Sequence, residues 1–525
     1  APGDPKDKVR SWDASLQLPI TPPNFCTRRI EQPCGIGLRA KAEIGESMGM
    51  SPPITSEQLT ALPPEVQAIV RALIDHYERQ VAVLKAEVAK LKAELAAVKK
   101  TPRNSSLPPS AEHPHAKPTP PKRPSARRPG GQPGHDRHER ALIPTERCQE
   151  VVVLKPKACR RCGQKLSGDD PEPLRHQVWD LPEIKPIVTE YQRHRLACPC
   201  CGETTCGQLP AGAPQSQAGP RLVALTALLM GCFKQSKRRV ALFLEQVLNQ
   251  PCSPGWVVKM QNQATAALTP SYGELVAHSP TQSVLSIDES PSKEGRKKSW
   301  LWTFVADAYT VFALRTTRAA AVLQDFLTEA FDGVVNCDRA KMYGNQGRLQ
   351  WCWAHLKRDF QSLIDHPDHQ VKRLGRDLMR PTRLLFRHWA RYRDGTITRL
   401  GFERLMQPIR KEIDSLLLRG AFSGNPKLVG MCEDLHRRRD RLWTFLDVEG
   451  VEPTNNAAER ALRPAVIWRK LSFGTQSAAG SRFVETILTV VETCHRQSRN
   501  SFDYVASAVQ AHFARQPAPS LLPGA

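Results

Sequence analysis

The sequence lacks any long apolar run. Its longest apolar-rich stretch, residues 222–233, is shorter than the roughly 18 residues that a membrane-spanning helix needs. The beginning of the chain, from Ala1 to Lys8, has no apolar centre of the kind found in a secretory signal peptide. We therefore expect a chain without a membrane span that stays in the cytoplasm.

A repeating apolar pattern is also missing from residues 1–50, which contain several prolines. The chain does not begin with Met, and Met48 and Met50 stand just before the first patterned segment. We expect the first 50 or so residues to be a disordered extension or an upstream misreading of the start. The sequence leaves these two alternatives open.

Acidic residues are in short supply. The 525-residue chain has 75 Lys and Arg against 52 Asp and Glu, which gives a formal net charge of +23. A soluble protein with this excess usually meets a polyanion, because phosphates are the groups to which many cations bind most favourably. The composition therefore predicts nucleic acid as a partner, and a merely basic surface is the simpler alternative.

Apolar periodicity begins in residues 51–100. Between Pro64 and Lys100, apolar side chains recur in steps of three and four, as in the seam of a heptad repeat. The seam consists of Ile74, Tyr77, Val81, Leu84, Val88, Leu91, Leu95 and Val98. A helix with one apolar seam must bury it, so we expect a leucine-zipper-like coiled coil that forms a parallel homodimer. Packing against the chain's own core is the alternative.

Residues 101–145 are rich in proline and in basic residues, among them Arg127 and Arg128. Such a composition cannot form a core, so this segment is predicted to be a linker. A basic flexible segment can follow DNA phosphates without reading bases. A solubilising spacer is the alternative, and the two roles are compatible.

Seven of the fifteen cysteines lie within residues 146–212, where four of them form two Cys-x-x-Cys pairs. Each pair is followed by Gly, and segments 178–182 and 186–191 between the pairs are predicted strands. This spacing fits a zinc ribbon, in which four thiolates hold a structural Zn2+ in a closed tetrahedral site. The expected ligands are Cys159, Cys162, Cys198 and Cys201, with Cys200 or Cys206 as alternatives for the fourth. Paired cysteines without an export signal also favour a reducing compartment.

Residues 213–280 show a helical pattern. A basic segment with Lys237, Arg238 and Arg239 leads into an apolar helix, and a turn rich in Pro and Ser precedes a second helix at Trp256. Helix, short turn and helix fit a helix-turn-helix that contacts DNA through these cations. An ordinary helical hairpin fits the same pattern.

After residue 280 the apolar period changes to that of strands. Strands are predicted at 283–287, 299–305, 309–314, 333–337 and 349–353, with a helix at 318–331. This order is that of an α/β ribonuclease-H-like fold, in which the first and fourth strands are neighbours. We expect a catalytic domain over 281–480, with a helical insertion at about 366–445, and a helical region and tail over 481–525.

Asp288 and Asp338 follow the first and fourth predicted strands, so we expect them to lie side by side at the strands' C-terminal ends. Adjacent carboxylates repel, and a divalent cation between them removes that cost. Two Mg2+ ions, or Mn2+, held there can activate a water or a 3′-hydroxyl for attack on a phosphodiester. The pair therefore predicts a metal-dependent site for nucleic-acid cleavage that needs a third acid.

Glu459 is the expected third acid, within the segment from Glu452 to Pro464. Thr454 or Asn455 can cap the start of its helix, and Pro464 predicts that the helix is short. The paired Asn455 and Asn456 are expected to fix this helix start.

Other acids compete for the same roles. Glu289 should point to the opposite face of its strand, Asp307 lies in a turn, and Asp359 can cap or pair within its own helix. Glu485 and Glu492 are the alternatives for the third acid.

Several motifs closely resemble the transposases of the insertion-sequence (IS) sixty-six family. They are Asp288 to Ser290, Cys337 to Tyr343, Cys352 to Phe360, Asn455 to Pro464, Asn104 to Pro109 and Gly130 to His135, and the resemblance covers about residues 55–510. The segment from Arg339 to Tyr343 departs from the Gly-Tyr-rich version common in the family. The resemblance implies a DDE transposase whose triad maps onto Asp288, Asp338 and Glu459. It also implies a bacterial, nucleoid-associated protein with accessory proteins encoded by the same element.

Basic side chains near the acids are expected to hold DNA phosphates. They are Lys357, Arg358, Arg460, Arg463, Arg469 and Lys470. His355 belongs with them or is a core histidine.

These features predict a DDE transposase that cuts and joins DNA at the ends of a mobile element, with element ends and target DNA as substrates. A DNA-binding or accessory protein that no longer cuts is the alternative. A structure-specific nuclease on the same fold is a third possibility.

Overall fold

A computed structural model describes residues 59–98, 104 and 140–522, and the chain divides into two compact units, residues 1–85 and 86–525. The predicted N-terminal extension, together with Arg127 and Arg128 of the basic linker, lies outside the described residues. Within the described residues, no helix has both the length and the apolar character needed to cross a membrane.

Helix α1 spans Pro64–Val98, where the heptad pattern predicts a helix. Proline suits its first position, because the N–H that proline lacks has no partner within the helix there. The seam residues Ile74, Tyr77, Val81, Leu84, Val88 and Leu91 are all exposed. The coiled-coil dimer therefore stays a prediction.

Strands β1 (Arg195–Ala197) and β2 (Thr204–Cys206) form a small antiparallel hairpin in the cysteine-rich region. The turn between them contains the second cysteine pair, and Gly202 adopts a φ of 74° there. Such a left-handed backbone favours glycine. The predicted strands at 178–182 and 186–191 are wrong, since the structure has no paired strand in either segment.

Three helices precede the large sheet: α2 (Pro220–Gly231), α3 (Lys237–Leu248) and α4 (Pro254–His278). The Ser236 and Ser253 hydroxyls cap α3 and α4 by accepting backbone N–H bonds of 3.3 and 3.2 Å. Helix α2 packs so closely on a later helix that a Cβ on Gly231 would lie 2.5 Å from Ile487 Cγ1. The three helices thus form part of the core, and a helix-turn-helix role stays a prediction.

The core of the larger unit is a five-stranded sheet in the order β5-β4-β3-β6-β7. Its strands are β3 (Val284–Glu294), β4 (Lys297–Val305), β5 (Thr310–Arg315), β6 (Val334–Cys337) and β7 (Arg348–Trp351). Strands β3, β4 and β5 pair antiparallel, whereas β6 pairs parallel with both β3 and β7. The first and fourth strands of the sheet are therefore neighbours, as predicted.

Two elements around the sheet differ from the prediction. Helix α5 covers only Ala321–Leu327, because Thr328 adopts a φ of 50° and ends it. Strand β7 stops at Trp351, and Trp353 instead begins helix α6 (Trp353–Ile364).

Four helices then leave the sheet: α7 (His369–Arg393), α8 (Arg399–Ala421), α9 (Pro426–Arg437) and α10 (Asp440–Asp447). Helix α10 brings the chain back to the sheet edge. The Thr444 hydroxyl donates to the Leu349 carbonyl at 2.6 Å, and the Trp353 indole N–H donates to the Leu442 carbonyl at 2.7 Å. The four helices α7 to α10, called the helical block below, thus place the segment that follows them beside β7.

The last helices are α11 (Asn456–Ser472), α12 (Ala478–Arg496) and α13 (Ser501–Phe513). The prediction that Pro464 keeps α11 short is wrong, because this helix continues for two further turns beyond it. Proline removes one backbone hydrogen bond. The packing of α11 along β3 and β4, with Ala458, Ala461 and Ala465 buried, maintains the helix in spite of that loss.

Candidate active site

The parallel pairing of β3 and β6 brings Asp288 and Asp338 to matching positions. Ser286 pairs with Asn336, and each aspartate stands two residues further along its strand direction. Asp338 follows the last residue of β6, as predicted. The prediction that Asp288 ends its strand is wrong, because β3 continues to Glu294 in a hairpin with β4.

The segment from Glu452 to Asn455 fixes the start of α11 against three parts of the sheet. The Asn336 amide on β6 donates to the Glu452 and Thr454 carbonyls at 2.9 and 3.0 Å. The Asn455 amide donates to the Ile287 carbonyl on β3 at 2.7 Å, and the Asn455 N–H donates to Cys352 Sγ at 3.1 Å. Glu459, in the first turn of α11, is thereby held over the strands that carry the aspartates.

Asn455 occupies the N-cap position of α11, but its side chain makes no capping hydrogen bond. The predicted side-chain cap is therefore wrong. The reason is that the amide is used to bind β3 instead, one residue before Asp288.

The charges of neighbouring acids act on Asp288, although the carboxylate oxygens of Asp288, Asp338 and Glu459 do not form a group within 4.8 Å of one another among the described residues. Burial raises the pKa of Asp288 well above its usual range, and the charges of Glu289, Asp338 and Glu459 raise it further. One backbone bond opposes this shift, from the Glu289 N–H to Asp288 Oδ1 at 3.0 Å. A carboxyl whose pKa is raised by burial and by like charges is stabilised in its ionised form by a bound cation.

The donor atoms around Glu459 also suit a divalent cation. Glu459 Oε1 and Asn455 Oδ1 are buried and accept no hydrogen bond. A buried carboxylate oxygen without a hydrogen-bond donor is costly, and metal coordination is one way to satisfy it. The oxygen-rich set formed by Asp288, Asp338 and Glu459 is the kind that Mg2+ or Mn2+ takes.

Cys352 and His355 stand next to Glu459, and one ligand atom from each of the three lies within 4.8 Å of the others. Burial raises the pKa of the Cys352 thiol to about 11, so at neutral pH it stays protonated. Burial lowers the pKa of His355, whose Nε2 lies 3.8 Å from Glu459 Oε1. The Cys352 Sγ atom accepts the hydrogen bond of the Asn455 N–H described above. The role of Cys352 in binding the start of α11 was not predicted from the sequence. The short spacing between Cys352 and His355 after β7 could have indicated that both lie near Glu459.

The rival acids have other partners. The Glu289 carboxylate pairs with Arg318 and accepts the Tyr343 hydroxyl at 2.6 Å, on the opposite face of β3, as predicted. Asp359 pairs with Arg339 at 3.2 Å, and Asp307 is exposed in the turn after β4.

The alternatives for the third acid lie on α12, at the other end of the sheet. Glu485 is almost fully buried, and it accepts the Leu314 N–H and pairs with Arg315 and Arg482 at 3.0 and 2.8 Å. Glu492 is half-buried on the same helix. Glu485 therefore ties α12 to β5 at the sheet edge away from β6 and Asp338.

The predicted phosphate-binding cations divide into three groups. Arg358 lies 3.8 Å from Glu459 Oε2, and the Arg469 guanidinium donates to the Pro291 carbonyl. Lys357, Arg460, Arg463 and Lys470 are exposed on α6 and α11. Lys237, Arg238 and Arg239 are exposed in the first turn of α3.

The two predicted zinc-binding cysteine pairs have the same local geometry. Backbone N–H groups of residues 162 and 161 lower the pKa of Cys159, and those of residues 201 and 200 lower the pKa of Cys198. These two Cys-x-x-Cys turns, called knuckles below, stabilise the thiolate form of cysteine, which is the form that binds Zn2+. Among the residues described, the one group of three or more candidate ligands within 4.8 Å is that of Cys352, His355 and Glu459. The structure thus shows the two knuckles without bringing their thiols together.

The chain belongs to the transposase IS66 family, whose model matches residues 215–482. The zinc-finger binding domain of transposase IS66 matches residues 156–202, and a family of unknown function matches residues 51–141. These matches place the chain in a family of transposases and identify residues 156–202 as that family's zinc-finger domain.

The chain is also similar to uncharacterized proteins of Sinorhizobium fredii. It is 24% identical to protein y4qI over 42% of this chain and 45% of that protein, and 28% identical to y4jO over 33% and 51%. Protein y4hP is 22% identical over 66% of this chain and 69% of its own length. The chain thus spans about half the length of the first two relatives.

Proposed function

We propose that this chain is a DDE transposase that cleaves the DNA ends of its insertion sequence and joins them to target DNA. The observation that carries this proposal is the parallel pairing of β3 and β6, which sets Asp288 and Asp338 at matching positions. Hydrogen bonds from Asn336 and Asn455 hold the start of the helix that carries Glu459 against the same two strands. The strand order supports a ribonuclease-H-like core, the fold in which such a triad is expected. This arrangement favours metal-dependent phosphodiester chemistry over a purely structural acid cluster.

In this proposal Asp288, Asp338 and Glu459 hold Mg2+ or Mn2+. When bound, the metal supplies an activated water or 3′-hydroxyl and stabilises the charge of the leaving oxygen. Asn336 and Asn455 keep Glu459 in position by binding the segment before α11 to β6 and β3. Arg358 lies close enough to Glu459 to contact a phosphate held at the same point.

In this proposal the remaining parts of the chain bind DNA and pair two copies of the protein. The exposed cations of α3 and α11 bind DNA phosphates, and the zinc ribbon supports DNA recognition. Helix α1 pairs two copies of the chain through its exposed seam. The protein would then work at the bacterial nucleoid with accessory proteins of the same element.

Amide substitution of the three acids tests the proposal. Asp288→Asn, Asp338→Asn and Glu459→Gln should each reduce Mg2+-dependent cleavage of DNA carrying the element's ends by at least a hundredfold. Each variant should bind that DNA as the wild type does. Mg2+ should raise the melting temperature of the wild type but not that of the Asp288→Asn protein.

Asp307→Asn is the matched control, since Asp307 is an exposed acid in the turn after β4. Cleavage by this control should equal that of the wild type. Undiminished cleavage by Asp288→Asn would show that the triad is wrong. A wild type that binds end DNA but nicks it with neither Mg2+ nor Mn2+ would support the alternative, an accessory protein that has lost cleavage.

A further inference from the structure

The tip of the β3–β4 hairpin carries a dense group of cations that no role above uses. Lys293, Arg296, Lys297 and Lys298 are all exposed, and none has an ion-pair partner among the described residues. The acid of this loop, Glu294, accepts a hydrogen bond from the Ser481 hydroxyl. With four cations against one acid, the tip carries a net positive charge, which complements a polyanion.

An exposed aromatic side chain stands beside these cations. Phe473, just after α11, is 81% exposed and adopts a φ of 59°. This left-handed backbone ends the helix, as it does at the C-terminus of many helices. Ile467 and Leu471 on the last turns of α11 are exposed as well. The end of α11 thus combines apolar and basic surface.

The exposure of Phe473 does not come from a loose segment. The Thr475 N–H donates to the Lys293 carbonyl at 3.0 Å, and the Gly295 N–H donates to the Thr475 carbonyl at 2.8 Å. Gly474 approaches so closely that a Cβ there would lie 2.5 Å from the Lys293 carbonyl oxygen. The backbone directly after Phe473 is held to the hairpin, so the phenyl ring is presented next to a fixed support.

Lengths along a strand and along a helix place this tip about 17 to 21 Å from the acidic centre. Along β3, Lys293 stands about 17 Å beyond Asp288 at roughly 3.4 Å per residue. Along α11, Phe473 stands about 21 Å beyond Glu459 at roughly 1.5 Å per residue. A nucleic-acid strand advances about 3.4 Å per nucleotide. A strand that leaves the acidic centre in this direction would reach the tip after about five nucleotides.

We propose that the hairpin tip, residues 293–298 together with Phe473, binds the DNA on which the acidic centre acts, about five nucleotides from the reacting phosphate. Lys293, Arg296, Lys297 and Lys298 contact the phosphates, and the Phe473 ring stacks on an unpaired base. Aromatic side chains stack on any base, and flanking cations then hold the backbone. This proposal rests on the proposed function, because it assumes that DNA occupies the acidic centre.

Binding measurements on the full chain, loaded with zinc but without added Mg2+, test the tip without requiring cleavage. One fluorescent probe is a 30-base-pair duplex, and the other is a 20-base-pair duplex with a ten-thymidine 3′ extension. Phe473→Ala should weaken binding of the extended probe about tenfold and that of the duplex much less, whereas Phe473→Tyr should restore it. Phe422→Ala is the matched control, since Phe422 is 86% exposed on the helical block.

The cations are tested by the salt dependence of binding to the duplex. The triple variant Arg296→Ala, Lys297→Ala, Lys298→Ala should lower the slope of log affinity against log salt by about two to three. Arg404→Ala with Lys411→Ala, two exposed cations of α8, should leave the slope unchanged.

Wild-type binding of both probes by the Phe473→Ala and triple variants would overturn the proposal. Equal weakening of both probes by Phe473→Ala would overturn the stacking role. Loss of self-association with unchanged DNA binding would instead identify the tip as a contact between copies. If the tip variants weaken binding while Asp288→Asn still cleaves, the tip proposal stands and the proposed triad fails.

Discussion

Two buried carboxyls of this protein are stabilised in different ways. Asp288 lies among other acids, which raise its pKa beyond the effect of burial. Glu485 lies among the Arg315 and Arg482 guanidinium groups and the Leu314 N–H, yet burial still raises its pKa to about 7. Two cations therefore do not fully offset the burial of Glu485. The pKa of Asp288, by contrast, is raised by its acidic neighbours as well as by burial, and one backbone N–H alone opposes the shift.

The raised pKa of Glu485 predicts how stability depends on pH. Because its folded pKa of about 7 exceeds the ordinary 4.5, its stabilising contribution is complete below pH 4.5 and is lost as pH rises through 7. The shift corresponds to roughly 3 kcal/mol at most. Glu485→Gln should therefore raise the melting temperature relative to the wild type more at pH 8 than at pH 5.

Thermal melting of both proteins across pH 4 to 9 checks this expectation. Glu433→Gln, which alters an exposed acid on α9, is the control and should melt in parallel with the wild type. A constant difference between Glu485→Gln and wild type at every pH would show that Glu485 does not titrate in this range.

The residues of the candidate site could be predicted from the sequence, but not the bonds that position them. Asp288 and Asp338 are visible because a strand pattern leads into each of them. The bonds of Asn455 to Ile287 and of Asn336 to Thr454 join residues more than 100 positions apart. No local pattern encodes such a pairing, since it depends on where the helical block returns the chain.

At the scale of elements, the segment before α11 controls the position of Glu459. Asn455→Ala removes a buried hydrogen bond to β3 and leaves the Ile287 carbonyl without its donor, a loss of about 1–3 kcal/mol. We expect cleavage of end DNA to fall at least tenfold and the Mg2+ concentration for half-maximal rate to rise. DNA binding should be retained.

Asn456→Ala is the matched control for this variant. Asn456 begins α11 and its side chain is half-buried, without a hydrogen bond to the sheet among the described residues. Its cleavage rate should stay within about twofold of the wild type. Equal effects of the two substitutions would show that the pair fixes the helix start jointly, rather than through Asn455 alone.

Elements were predicted well where the local pattern and the packing agree. The hairpin of β4 and β5 and the strand β6 follow the apolar pattern of the chain. The prediction of a short α11 was wrong because the burial of Ala458, Ala461 and Ala465 against the sheet outweighs the hydrogen bond lost at Pro464. Asp288 lies within a long strand for a similar reason, since pairing with β4 extends β3 beyond its apolar stretch.

At the scale of the whole molecule, the chain combines a helix, a cysteine-rich module and an α/β core. The family matches cover the cysteine-rich module and the core separately, at residues 156–202 and 215–482. The proposed function requires two DNA ends to be held near each other, which a dimer with two acidic centres would allow. The exposed seam of α1 is a surface of this chain that can supply the pairing.

The dimer is tested by two substitutions on adjacent residues of α1. Leu84 belongs to the heptad seam and is 56% exposed, whereas Val83 lies off the seam and is 63% exposed. Glu at position 84 places a charge within the paired seam, so Leu84→Glu should give a monomer. Val83→Glu adds the same charge outside the seam and should leave the dimer intact. Light scattering during gel filtration measures both masses, and identical masses for the two variants would show that the seam does not pair the chains.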